Sequence, residues 1–159
     1  MNFQLYSRVI LILFFFTSCE PDDICLESNE DTPNLILKFV DSFSGENKSV
    51  NNLRIKGIDN NEDYFIGTID SISIPLNNYE NSSSFSFTKD FDSNQSNEDL
   101  IYFNYTRDNV YISRSCGYKM EYKIDNIIVE NDNLNWIEDS IIEKQTINNE
   151  ISHHVKIYH

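Results

Sequence analysis

The sequence has 159 residues with 26 acidic and 12 basic side chains, which gives a formal net charge of −14 at pH 7. A surface this negative repels phosphate backbones and anionic lipid, so the composition argues against nucleic-acid binding and against polybasic docking to membranes. Hydrophobic residues make up 40% of the chain, which is enough for a folded core and excludes global disorder. Alanine, the best helix former, is absent, and its absence disfavours long helices.

Residues 1–18 have the organisation of a secretory leader. Arg8 precedes an apolar run at 9–16, which is shorter than the roughly 20 residues that a membrane-spanning helix needs. Phe16-Thr17-Ser18-Cys19 then resembles the lipobox read by signal peptidase II, with phenylalanine in place of the usual leucine. The resemblance implies cleavage before Cys19 and attachment of lipid to its thiol. The alternative is a plain secretory signal followed by a chance cysteine.

An acidic tail, residues 19–31, separates the predicted anchor from the folded domain. Its start, Glu20-Pro21-Asp22-Asp23, is broken by proline and predicts neither helix nor strand. These residues resemble the acidic export signal of surface-displayed lipoproteins in the Bacteroidota. We therefore expect a lipid-anchored outer-membrane protein, and both the cell surface and the periplasmic face of that membrane stay open as locations.

Two cysteines remain once Cys19 carries lipid, and an even pair in an oxidising compartment predicts a disulfide between Cys25 and Cys116. Closing a loop of about 90 residues would stabilise the fold by at most roughly 4–5 kcal/mol. The alternative is two independent buried thiols. Six residue steps separate Cys19 from Cys25. Because an extended chain covers at most about 3.6 Å per residue, a bridged domain would lie within roughly 20 Å of its lipid anchor.

Residues 32–159 are predicted to form one β domain, because apolar side chains recur at alternate positions from Thr32 onward. Turns rich in asparagine and aspartate separate these runs, and one such turn is expected at Arg107-Asp108-Asn109. The pattern predicts an antiparallel β-sandwich or small barrel of about seven to nine strands, immunoglobulin-like or Greek-key. Residues 138–145 are the best helical candidate. The predicted strands are 35–40, 53–57, 71–76, 85–88, 100–106, 110–112, 118–125, 136–142 and 154–158.

Short motifs are spread over nearly the whole mature chain. They are the lipobox cysteine, Asp23-Ile24-Cys25, Thr32-Pro33, Asp70-Ser71-Ile72-Ser73-Ile74-Pro75-Leu76, Ser113-Arg114-Ser115-Cys116-Gly117-Tyr118 and His154-Val155-Lys156-Ile157. With these motifs the chain resembles an uncharacterised Bacteroidota lipoprotein family, a domain of unknown function. The resemblance implies a single domain and adds weight to the pairing of Cys25 with Cys116, and it implies no activity.

The candidate metal-binding motifs do not match the geometry that metal sites need. Asp90-Phe91-Asp92-Ser93-Asn94 imitates the start of an EF-hand loop, but Gln95 and Ile101 stand where glycine and glutamate are required. A solvated loop is the better interpretation, with an irregular calcium site as the alternative. On a strand, His153 and His159 would lie about 20 Å apart and His154 would point to the other face. All three are therefore predicted to be surface imidazoles, with no metal and no other cofactor.

Catalytic motifs are not found in the sequence, which has neither a glycine-rich phosphate loop nor a Gly-x-Ser-x-Gly nucleophile motif. Arg114, close to Cys116, is the candidate recognition residue, and the alternative is a charged turn residue. Trp136 is expected to pack in the core rather than to serve as a sugar platform. Ser71 and Ser140 lie in Asp-Ser-Ile triplets that resemble the O-glycosylation sites of Bacteroidota.

We therefore expect a non-enzymatic envelope module that is anchored in the lipid bilayer through Cys19. It would bind or scaffold an outer-membrane protein or another envelope component, because the short distance to the bilayer keeps the domain where such a partner can meet it. The alternative is a surface lipoprotein that binds glycan or another small ligand, which predicts an exposed aromatic cluster on a sheet face or at a loop end. An enzyme would need a deep pocket holding convergent acids or Arg114.

Overall fold

The computed structural model describes Cys25 and residues 31–159, so the predicted leader, Cys19 and most of the acidic tail lie outside the described residues. The described residues form strands, turns and loops without a helix, and none of them therefore belongs to a helix able to cross a bilayer. Their ten strands are β1 Leu35–Val40, β2 Val50–Gly57, β3 Asp63–Ile69, β4 Ser71–Ile74, β5 Ser82–Lys89, β6 Asn97–Ser113, β7 Gly117–Val129, β8 Asp139–Ile142, β9 Thr146–Ile147 and β10 Val155–Tyr158.

The strands form two sheets, as expected for a sandwich. One sheet has four strands in the order β4-β1-β10-β8, and the other has six in the order β3-β2-β5-β6-β7-β9. The pairing is mainly antiparallel, but β1 and β10 pair in parallel, with Leu37 opposite Val155. Each sheet ends in an edge strand on both sides, so the predicted β-sandwich is confirmed and the small barrel is not.

The described residues divide into two compact units. One comprises Cys25 and Tyr111–Tyr118, and the other comprises residues 31–110 and 119–159. The larger unit contains the hydrophobic core, in which alternate side chains of β1 are fully buried. Phe39 of β1 packs edge to face on Phe87 of β5, with ring centroids 6.5 Å apart. This contact joins the two sheets, and the alternating pattern read from the sequence thus corresponds to the inner faces of the sandwich.

Three local predictions are wrong. Residues 107–109 lie within β6 rather than in a turn, and residues 138–145 contain β8 rather than a helix. The sequence pattern also misses β3 and β9. β3 lacks alternation because it is an edge strand whose apolar side chains, among them the half-exposed Tyr64 and Ile66, point to both faces.

Candidate functional site

The first candidate site is the tip hairpin, defined as Tyr111–Tyr118. Here β6 ends at Ser113 and β7 begins at Gly117, so three residues make the turn. Gly117 has φ +74°, a left-handed angle that glycine adopts without steric cost and that closes hairpins with three-residue turns. The N–H of Cys116 donates a hydrogen bond to Ser113 Oγ at 3.0 Å. Local turn chemistry therefore defines the end of this hairpin.

A disulfide attaches the tip hairpin to an earlier part of the chain. Cys116 is bonded to Cys25, with Cα atoms 4.9 Å apart and a sequence separation of 91 residues. This geometry fits the pair predicted from the sequence. Cys25 is exposed and follows Cys19, the predicted acylation residue, by six steps in the sequence. Among the strands and hairpins of the described residues, the tip hairpin is thus the one that the disulfide connects to Cys25, six residues after the predicted anchor.

Two exposed tyrosines flank the turn of the tip hairpin. Tyr111 is 57% exposed and Tyr118 is 67% exposed, and their ring centroids are 5.3 Å apart in an edge-to-face arrangement. Neither tyrosine was predicted from the sequence to be part of a site. The signal was available, because two aromatic residues stand on either side of a turn that contains the predicted disulfide cysteine, but the turn expected at 107–109 obscured the pairing. The pair forms an exposed aromatic cluster at a loop end.

Arg114 is exposed in the turn between these tyrosines. It is the only charged residue in the eight-residue tip hairpin, which contains no carboxylate. That local charge of +1 contrasts with the −14 of the whole chain. The structure therefore places Arg114 beside an aromatic pair, while its role in recognition stays a prediction.

The two predicted glycosylation sites lie away from one another on edge strands of the four-stranded sheet. Ser71 is half-buried on β4, and its hydroxyl donates a hydrogen bond to the carbonyl of Leu37 at 3.1 Å. Ser140 is half-buried on β8 and pairs with Ile157 of β10. Modification of either hydroxyl stays a prediction, and at Ser71 it would have to replace a hydrogen bond to the strand backbone.

The second candidate site is the β3 edge, defined as the open side of strand β3. β3 has β2 as its only neighbour in the six-stranded sheet. Tyr64 is 46% exposed and Ile66 is 49% exposed on this strand. The Tyr64 hydroxyl donates to the carbonyl of Ser73 on β4 at 2.8 Å, so this residue links the edges of the two sheets. A seven-residue edge with exposed apolar side chains is the type of surface that accepts an additional strand.

An open groove of about 470 Å³ lies between the loop after β2 and the segment from Pro75 to Phe85. Its lining is mixed polar and apolar, and Asp59 and Glu80 are the charged residues in it. Within the described range, no three histidine, cysteine or acidic side chains come together in a way that would hold a metal ion. The groove offers side-chain and backbone hydrogen-bonding groups but no arrangement of nucleophile, base and orienting group.

Among the acidic and basic side chains of the described residues, Asp99, His154 and His159 are buried. Asp99 accepts a hydrogen bond from the N–H of Ile137 at 2.8 Å, and burial raises the pKa of its carboxyl group. The prediction that all three histidines lie on the surface is wrong for His154, which is 1% exposed, and for His159, which is 5% exposed. His153 is half-buried beside Glu143. Burial also lowers the pKa of His154 and of His159.

Trp136 is in the core, as predicted. It is 8% exposed, and its indole N–H donates to the carbonyl of Phe87 at 3.0 Å. This side chain is therefore not available as a sugar platform.

Comparison with protein families assigns residues 52–159 to the family of unknown function DUF6452. The match covers the chain from within β2 to its last residue, about two thirds of the sequence. The chain belongs to this family. The DUF6452 match includes both the tip hairpin and the β3 edge, while Cys19 and Cys25 precede it. Comparisons with curated proteins and with solved structures gave no significant match.

Proposed function

We propose that this protein is an acylated envelope lipoprotein whose β-sandwich binds an integral protein of the outer membrane. The observation that carries the proposal is the disulfide between Cys25 and Cys116. Six residue steps from an acylated Cys19 to Cys25 would keep the tip hairpin within roughly 20 Å of the lipid anchor. A domain held so close to a bilayer meets the extramembrane parts of integral proteins far more often than a free domain does, because tethering raises the effective concentration.

The β3 edge supports a protein partner. An extended segment of a partner would add its backbone hydrogen bonds to β3 and pack its side chains against Tyr64 and Ile66, which are each about half exposed. Natural edge strands are commonly protected by lysine, proline or a bulge that turns the edge away. Lysine and proline are absent from β3, but its pairing with β2 shifts register between Phe65 and Asp63. Strand addition is therefore proposed at the regularly paired residues 65–67, which include Ile66.

The strongly acidic surface restricts the charge of the surface with which a partner can bind. The net charge of −14 opposes binding to nucleic acid and favours partners whose contact surface is neutral, basic or bridged by cations. An apolar strand edge satisfies this condition, because it contributes affinity through backbone hydrogen bonds rather than through charge.

The proposal is tested by mild crosslinking in the native cells followed by affinity purification of the lipidated protein. We expect the wild type to recover an integral outer-membrane protein. Ile66→Lys places a charge in the proposed contact on β3 and should reduce recovery at least about tenfold, since a desolvated unpaired charge costs several kcal/mol at an interface.

Ile128→Lys is the matched control. Ile128 is 50% exposed and lies on β7, which β2, β5 and β6 separate from β3 in the six-stranded sheet. This variant changes the same residue type at the same exposure and should recover the partner as well as the wild type does. Recovery of the monomer alone from the wild type would contradict the proposed function. An equal reduction in partner recovery by both variants would contradict the assignment of the β3 edge as the contact surface.

A further inference from the structure

We infer that the tip hairpin rests on the bilayer interface, with the rings of Tyr111 and Tyr118 among the phospholipid head groups. The inference deepens the proposed function and rests on its acylated Cys19. It assigns to the tip hairpin a partner of defined chemistry, a phospholipid surface, in addition to the protein partner of the β3 edge.

The aromatic pair has the properties of an interfacial anchor. Both rings are more than half exposed, and they contact each other edge to face at 5.3 Å. Neither hydroxyl has a hydrogen-bond partner among the described residues. Tyrosine combines an apolar ring with a polar hydroxyl, and for that reason it concentrates at membrane–water interfaces, where the ring is partly desolvated while the hydroxyl stays hydrated.

The position of the tip hairpin along the chain favours lipid over other partners. The acyl chains on Cys19 would lie in the bilayer, and the disulfide makes Cys116 the covalent neighbour of Cys25. The span from Cys19 to Cys25 is at most roughly 20 Å, and the Cα atoms of the disulfide are 4.9 Å apart, so the tip hairpin would be confined to a layer next to the bilayer surface. The anchor would thus already restrict its motion, and less further entropy would be lost when the tip makes contact.

The local charge of the tip hairpin is also compatible with phospholipid. The whole chain carries −14, which opposes adsorption to anionic lipid. Tyr111–Tyr118 has no carboxylate and includes Arg114, while Glu20, Asp22 and Asp23 lie on the stretch that joins Cys25 to Cys19. Charge therefore contributes little net attraction to this contact. The aromatic rings and the acyl chains supply the attraction.

The geometry of the pair disfavours a sugar platform. Stacking of a sugar on an aromatic residue needs an open, flat ring face. In an edge-to-face pair with an interplanar angle of 65°, the edge of one ring occupies a face of the other. A bilayer interface makes no such demand, because it accepts rings in a range of orientations.

The inference is tested on the full acylated protein, purified from membranes and reconstituted in vesicles of phosphatidylethanolamine and phosphatidylglycerol, with and without brominated acyl chains. Tyr118→Trp places a fluorescent probe in the tip hairpin. We expect its emission to shift to the blue and to be quenched by about half by the brominated lipid, because an interfacial indole lies near the acyl chain region. The wild type reports the background from Trp136, which is buried in the core.

Tyr79→Trp is the matched control, since Tyr79 is 89% exposed and lies outside the tip hairpin. Its emission should keep the wavelength of a hydrated indole and should not be quenched. Equal emission from the two variants would overturn the inference. A response of Tyr118→Trp to soluble envelope oligosaccharide, without a response to lipid, would overturn it in favour of glycan binding. The mass of the same sample shows whether Cys19 is acylated. A protein without lipid on Cys19 is thus distinguished from an acylated protein whose tip hairpin does not contact the bilayer.

Discussion

At the scale of single residues, the buried imidazole of His154 forms hydrogen bonds with two backbone groups, the amide of Ile36 and the carbonyl of Asn149. Its Nδ1 accepts a hydrogen bond from the N–H of Ile36 at 3.0 Å. Because that donor is a backbone amide, Nδ1 carries no proton, and Nε2–H donates to the carbonyl of Asn149 at 3.0 Å. Burial lowers the pKa of His154, and the neutral imidazole that burial favours is also the form that this pair of hydrogen bonds requires.

Replacing His154 by leucine leaves the amide of Ile36 and the carbonyl of Asn149 without these partners. We expect His154→Leu to lower the free energy of unfolding by about 2–4 kcal/mol at neutral pH. His153→Leu, at a half-buried position that pairs with Glu143, should cost less than about 1 kcal/mol. Urea unfolding measures both values, and equal losses would contradict the assigned role.

The same residues determine how stability depends on pH. His154 and His159 have folded-state pKa values below the unfolded value of 6.5, in both cases chiefly through burial. The unfolded chain therefore binds more protons, and the stability that the neutral imidazoles contribute is complete above about pH 6.5 and is lost as pH falls through the folded pKa values. When urea unfolding is repeated at several pH values, the free energy of unfolding of His154→Leu should fall less steeply with decreasing pH than that of the wild type.

The burial of His159 could have been predicted from the sequence, but the burial of His154 could not. His159 continues the alternation of Val155 and Ile157, both fully buried, so its burial follows from the two-residue period of a strand. His154 precedes β10 and forms hydrogen bonds with the distant amide of Ile36 and with the carbonyl of Asn149, five residues before it. No local pattern reveals a contact that depends on how β1 approaches the segment before β10.

At the scale of secondary-structure elements, β6 shows where a local signal misleads. Arg107-Asp108-Asn109 has turn composition, yet β6 continues through it to Ser113. Arg107 Nε donates to Asn81 Oδ1 at 2.7 Å, and the guanidinium also donates to the carbonyl of Asn78 at 2.5 Å. The side chain of Arg107 thus stabilises the loop before β5 through these hydrogen bonds. By contrast, the bounds of β1 were predicted fully, because residues 35–40 are a short run in which only Lys38 is not apolar.

The tip hairpin provides the prediction at this scale. The double variant Cys25→Ser/Cys116→Ser keeps both side chains small and removes the crosslink across a sequence separation of 91 residues. Its free energy of unfolding should fall by roughly 4 kcal/mol, because the unfolded chain gains the entropy of an open loop. Urea unfolding of the oxidised wild type, the reduced wild type and the double variant gives the comparison.

Reduction supplies the control for the crosslink. Reduced wild type should unfold at the same urea concentration as the double variant, since both lack the bond while one keeps the cysteines. If the oxidised wild type and the double variant had the same midpoint, the disulfide would contribute nothing to the stability of the fold.

At the scale of the whole molecule, composition and periodicity were sufficient to predict an antiparallel β-sandwich or small barrel, because two-residue alternation over most of the chain admits few other architectures. The open edges of the two sheets decide for the sandwich. They were not sufficient to predict which strands lie at the edges. The parallel pairing of β1 with β10 joins residues separated by more than 100 positions, and no local pattern encodes that neighbour. The β3 edge could be recognised only from the assembled sheets, and the tyrosine pair only once the hairpin turn was correctly placed.

Mass spectrometry of the protein extracted from its native membranes shows whether lipid on Cys19 and the disulfide at Cys25 together hold this domain against a membrane. We expect a mature chain that begins at Cys19, with its thiol alkylated by diacylglycerol, and a crosslinked peptide pair that contains Cys25 and Cys116. A first residue other than Cys19, or a free thiol at that position, would contradict it.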